Sequence, residues 1–166
     1  VFALDASTGR ERWRYNASVV RVAHFGDFTT RGVSYWRDPR ARPASRCAAR
    51  IVFATIDARL IALDAATGAP CQRFGDGGTV DLRVGLHNAP HEFEEYEVTS
   101  PPAVVNGMLV VGSAISDNGW TEAVSGEARG YDIRTGALAW TFDPVPRDER
   151  DPAYNSRLMR KPEKST

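Results

Sequence analysis

Lysine is nearly missing from this 166-residue chain: Lys161 and Lys164 are the only two, and every other basic residue is arginine or histidine. No apolar run approaches the roughly 18 residues that a membrane-spanning helix needs. The longest, over residues 108–115, already contains Gly112 and Ser113. Neither sign of charge dominates, since Lys+Arg and Asp+Glu are both 21. That balance leaves no basic stripe for nucleic acid and no bias toward a membrane surface. His87 and His91 stand four apart with Glu92, Glu94 and Glu95 nearby. No cysteine pair or fourth ligand completes a zinc set there, so the stretch reads as a solvated insertion loop. No segment carries a long stripe of 3.6-residue period, and helices are expected to be few.

What is present is a repeat. Leu4-Asp5 with Thr8-Gly9, Leu63-Asp64 with Thr67-Gly68, and Tyr131-Asp132 with Thr135-Gly136 are three copies of one pattern. Each is followed by an aromatic residue: Trp13, Phe74 and Trp140. The pattern reads as strand, turn, strand. Asp accepts N–H groups within the turn, Gly supplies the positive φ, and the aromatic packs on the outgoing strand. The three aspartates are therefore turn residues and not catalytic ones. Two hairpins stand upstream: residues 50–56 and 59–64 around Asp57-Ala58, and residues 103–105 and 108–113 around Asn106-Gly107. Asn-Gly between apolar runs is the strongest short-range hairpin signal. Several short strands per repeat predict an all-β fold, a partial β-propeller of about three blades. The copies recur every roughly 60–70 residues against about 40–50 for an ordinary blade, so long loops are inserted. The expected domain is residues 1–146. The stretch 147–166 is irregular, rich in charge and proline, and holds both lysines; it reads as foreign to the fold or as a disordered terminus. A blade array does not stop at three, so the chain is expected to be a piece of a longer one.

The ordered motifs resemble a family. Thr30-Arg31-Gly32-Val33-Ser34-Tyr35 resembles the Arg-Gly motif of dehydrogenases that depend on pyrroloquinoline quinone (PQQ). The repeat around residues 55–68, Thr99-Ser100-Pro101-Pro102, and Gly112-Ser113 through Asp117-Asn118 look like the segments that follow it. The likeness is to the glucose-type and related sugar or alcohol enzymes, which implies an eight-bladed propeller. It also implies a cofactor set: Arg31, Thr99 and Ser113 on PQQ, with Asp117 and Asn118 on Ca²⁺ or Mg²⁺. A planar guanidinium fork suits the carboxylates or quinone oxygens of PQQ, and hard oxygen ligands suit either ion.

By the same resemblance, the metal polarises the quinone and an Asp general base removes the hydroxyl proton of a sugar or alcohol substrate. Hydride passes to PQQ, and the electrons go on to a quinone or a cytochrome. That base lies in a later blade, so no catalytic residue is expected in this chain and the chain alone is expected to be inactive. Phe25-Gly26 stands where the alcohol enzymes often carry two adjacent cysteines, which favours the glucose-type branch. Thr30 and Trp36 replace a Cys and a His common in membrane-bound glucose enzymes, which weighs against glucose itself. Cys47 and Cys71 are both matched in those enzymes; a disulfide and two free thiols are both open on the residues alone. The implied location is periplasmic or secreted, with any membrane association resting on segments outside this chain. The alternative is a non-catalytic propeller scaffold, or a truncated relic. Arg31 with Asp117 and Asn118 is the feature that a pure scaffold has no reason to keep.

Overall fold

A computed structural model describes residues 1–19, 25–26, 29–116 and 123–145, with the side chain of Phe93 excluded. Its strands are β1 (Phe2–Leu4), β2 (Glu11–Arg14), β3 (Ser34–Arg37), β4 (Ala49–Ala54), β5 (Arg59–Asp64) and β6 (Thr79–Asp81), followed by β7 (Tyr96–Glu97), β8 (Ala103–Val105), β9 (Met108–Val111), β10 (Ala114–Ile115), β11 (Ala128–Asp132) and β12 (Leu138–Phe142). A single 3-10 turn, Phe93–Glu95, is the only helical element among the described residues. β1 and β2 pair with each other; β3-β4-β5-β6 form one antiparallel sheet and β8-β9-β11-β12 a second. β7 and β10 make a short ribbon. This is the expected all-β architecture of consecutive blades, the first represented by its outer two strands.

The three repeat turns are built alike. Oδ1 of Asp5, Asp64 and Asp132 accepts the N–H of the residues two and three positions on and the hydroxyl of Thr8, Thr67 and Thr135, at 2.8–3.1 Å. The closing glycines Gly9, Gly68 and Gly136 have φ of 69°, 72° and 73°. The hydroxyls of Ser7 and Thr8 above all hold the Asp5 carboxyl down to about 2. In the second hairpin Asn106 and Gly107 have φ of 48° and 79°, the type I′ geometry that matches strand twist.

Two apolar clusters bind the blades. Phe53, Ile61 and Leu63 meet Trp13 and Tyr15 between the first two. Between the second and third lies the larger one, with Val52, Leu60, Phe74, Leu82, Tyr96, Leu109 and Ile133 all buried. Trp13 covers Gly68 so closely that a Cβ there would sit 2.5 Å from its ring, and Phe74 covers Gly136 in the next blade. Trp140 lies over Gly130 within its own sheet. At the outer edge β12 is exposed along its whole length, with Leu138 47%, Trp140 41% and Phe142 61% exposed. Cys47 and Cys71 are bonded to each other, Cα–Cα 5.8 Å, tying the β3–β4 loop to the segment after the second turn. The irregular stretch 147–166 lies outside the described residues.

Candidate cofactor site

Arg31 enters β3, and Thr99 enters β8 of the next blade. The structure brings them together: Arg31 Nη1 donates to Thr99 Oγ1 at 2.6 Å, and the Arg31 N–H donates to the Thr99 carbonyl at 2.9 Å. Beside them the Ser34 hydroxyl donates to the Pro102 carbonyl. Ser113 follows β9. The antiparallel register of β8 with β9 carries it to the end of the sheet where residues 99–102 arrive, and the ribbon of β7 with β10 meets there too. The three residues thus share one end of the blades. Ser113 Oγ is buried and has no hydrogen-bond partner among the described residues. Thr99 is 9% exposed and, while accepting from Arg31, keeps its own O–H to donate. Asp117 and Asn118 lie outside the described residues.

Beneath this end sits a layer of buried charge that the sequence reading missed. Glu95, Glu97 and Glu127 are 7%, 5% and 1% exposed. Glu95 Oε2 accepts the His91 N–H at 2.7 Å, and Glu97 Oε1 accepts the Gly26 N–H at 2.5 Å. Glu127 Oε1 accepts the His87 N–H at 2.7 Å and the Ser125 hydroxyl at 2.8 Å, while its Oε2 has no partner among the described residues. Arg129, 1% exposed, donates to the carbonyls of Val84 and Leu82 and to the Tyr96 hydroxyl. Burial pushes the Tyr131 hydroxyl in the same layer up to about 12. Around His87 and His91 the histidines are exposed, as a solvated loop implies, while backbone N–H groups and carbonyls of the stretch are the partners of buried side chains. The reason is strand alternation. Glu127 and Arg129 are two apart, so they share a face at the entry to β11, and that face is the interior one. Two charges two apart just before a turn were the available signal.

Trp36, which stands where membrane-bound glucose enzymes commonly carry a His, packs between blades. The guanidinium carbons of Arg134 and Arg50 lie 4.8 and 5.8 Å from its ring centroid.

Repeated four-stranded antiparallel sheets around aromatic-on-glycine junctions define blades of a β-propeller. The profile of the family described as "PQQ: Glucose/ethanol/alcohol dehydrogenase, beta-propeller domain" matches residues 1–165, and the chain belongs to that family. The quinoprotein glucose dehydrogenase of Escherichia coli (strain K12) is 36% identical over 168 residues, covering 94% of this chain and 21% of that protein. The glycerol dehydrogenase large subunit of Gluconobacter oxydans (strain 621H) is 37% identical over 161 residues, covering 96% and 21%. Among solved structures, the quinohemoprotein alcohol dehydrogenase from Comamonas testosteroni superposes with a TM-score of 0.65 at 27% identity, covering 91% of this chain and 19% of that one. The chain thus spans about a fifth of the length of the relatives it matches.

PQQ carries three carboxylates and two quinone oxygens, so its pocket must supply cations and O–H donors. The Arg31 fork, the Thr99 hydroxyl and the buried, unpartnered Ser113 Oγ are donors of that kind gathered at one end of the blades. The residues present fit the group.

Proposed function

We propose that the chain forms three consecutive blades of a PQQ- and metal-dependent dehydrogenase that oxidises a sugar or alcohol hydroxyl. PQQ, when bound, supplies the two-electron oxidant that accepts hydride from the substrate carbon. Arg31 holds a carboxylate or quinone oxygen, and Thr99, pinned by Arg31, donates an O–H hydrogen bond to a second acceptor. Ser113 donates from its buried place to a third. By the family resemblance, Asp117 and Asn118 hold Ca²⁺ or Mg²⁺. Proton removal from the substrate falls to an acidic residue outside these blades, and the electrons pass to a quinone or cytochrome. The Cys47–Cys71 bridge supports an oxidising compartment, periplasmic or secreted. The exposed apolar residues of β1 and β12 support further blades at both edges.

The observation that carries this reading is the unpartnered Ser113 Oγ at the end of the blades where Arg31 meets Thr99. The test is reconstitution of the whole protein with PQQ and Ca²⁺ or Mg²⁺. Quenching of intrinsic fluorescence and dye-linked oxidation are followed over a panel of sugars and alcohols. Arg31→Gln and Ser113→Ala are each expected to raise the PQQ concentration at half-saturation by roughly 10–100-fold, the loss of one or two charge-assisted or buried hydrogen bonds. Metal-dependent quenching with no oxidation of any substrate would leave a binding module; no quenching at all would leave the scaffold reading.

A further inference from the structure

At the opposite end of the second blade, the length of β3 away from Arg31, lies a cleft of about 350 Å³. Asp38, Arg46, Arg50 and Arg73 line it, and the Cys47–Cys71 disulfide forms part of its wall. That volume is at the small end of the range for small-molecule sites. Its charge is one-sided. The single carboxylate, Asp38, is taken by Arg134, whose Nε and Nη2 donate to it at 2.9 and 2.8 Å. Arg46 and Arg73 have no ion-pair partner among the described residues.

Arg50 is 8% exposed, and all its hydrogen bonds go to neutral carbonyls: Nε to Cys47, and Nη1 to Ile133 and Arg134. Its Nη2 has no acceptor among the described residues. An arginine does not shed its proton, so this is a nearly buried positive charge with no carboxylate hydrogen-bonded to it: Asp38 and Asp132 attract it only through space, and an anion in the cleft would complete the pairing. Desolvation accordingly disfavours the charged form of Arg50. The walls are also held in place. The disulfide joins the β3–β4 loop to the segment carrying Arg73, so the backbone that presents Arg46 and Arg73 needs little ordering when a ligand arrives.

We propose that this cleft binds a small polyanion bearing two or more carboxylate or phosphate groups. Guanidinium forks pair with either oxyanion through two parallel N–H···O bonds. The site is separate from the proposed PQQ pocket and does not depend on it.

The test is calorimetric titration of the full chain with citrate and with pyrophosphate, at an ionic strength held constant with chloride. One saturable site is expected for at least one of the two, and which one binds tells carboxylate from phosphate chemistry. Arg46→Gln combined with Arg73→Gln changes two exposed side chains, and an unchanged circular dichroism melt shows that the fold persists. This pair is expected to weaken binding at least tenfold. Arg10→Gln combined with Arg12→Gln removes the same net charge from the first blade and is expected to leave binding unchanged. Non-saturating heats with both anions, or equal losses in the two double variants, would overturn the proposal, because the anion would then be screening the surface at large.

Discussion

At the first blade junction Trp13 covers Gly68, and its indole Nε1 donates to the Ala65 carbonyl at 3.1 Å. At the second, Val80 and Phe74 cover Gly136, and neither side chain has an N–H to give. Asp132 stands in the third turn where Asp64 stands in the second, so Ile133 is the counterpart of Ala65. Its carbonyl does not go unserved: Arg50 Nη1 donates to it at 2.7 Å and to the Arg134 carbonyl at the same distance. The Gly75 N–H adds a bond to the Thr135 carbonyl at 2.8 Å. One residue covers the glycine and donates at the first junction; at the second, Phe74 and Val80 cover it and Arg50 donates. What the junction requires is therefore an apolar lid on the glycine and a donor on the turn carbonyl, since a backbone acceptor that loses water must be paired. A tryptophan is one solution among others.

Several substitutions would break or sharpen that comparison. Phe74→Ala removes a fully buried lid and is expected to cost about 3–5 kcal/mol in denaturant unfolding of the full chain; Trp13, only half buried, is expected to cost less on the same change. A larger loss at Trp13 would reverse the ranking of the two junctions. Replacing both Cys47 and Cys71 with Ser opens the link beside the second junction and should lower stability by about 3 kcal/mol for a closed loop of this size. Reducing agent should then leave the variant's melt unchanged while lowering that of the parent.

Arg50→Met keeps the stem but strands the Ile133 and Arg134 carbonyls, at an expected cost of about 2 kcal/mol. Adding Phe74→Trp offers an indole N–H in its place. The double-mutant cycle is expected to show the tryptophan less harmful in the Arg50→Met background than in the parent. Additive losses would mean that the indole cannot reach the carbonyl and that the two junctions are not equivalent. Trp13→Phe should cost about 1 kcal/mol, the net worth of one hydrogen bond.

The smallest effect expected is with pH. Hydrogen bonds from Arg134 above all hold the Asp38 carboxyl below its ordinary range. Burial works to raise Asp64 and Asp132, but the Cys47 N–H with the turn donors at Asp64, and the turn donors at Asp132, outweigh it and lower both. Each folded pKa is thus depressed, so the stabilisation is present above about pH 4 and is lost as pH falls further, through the folded values. Acid titration of the melting temperature should show this slope below about pH 4, with Arg134→Gln flattening part of it.

The turns and the hairpin at Asn106-Gly107 were legible in the sequence because the Oδ1 bonds and positive φ angles that shape them lie within a few residues. Arg31 with Thr99 was legible only through the family motifs, since 68 residues separate the partners. Arg50 was not, because the carbonyl it serves lies 83 residues away in another blade. Glu127 and Arg129 escaped for a related reason. Their partners lie at Leu82, Val84 and His87, in a stretch whose polar composition reads as solvated. Local geometry was written locally; burial of charge depended on which distant backbone came to meet it.

The repeat turn has one more consequence. The Oδ1 of its aspartate, its threonine and its glycine satisfy one another inside a handful of residues. A blade of this kind can be copied, or have its loops lengthened, without redrawing the turn. Only a lid and a donor must be found for the new neighbour. The second junction, where phenylalanine, valine and arginine share what tryptophan does alone, records one such accommodation, and in this way a ring of unequal blades can diversify its loops while its hub stays the same.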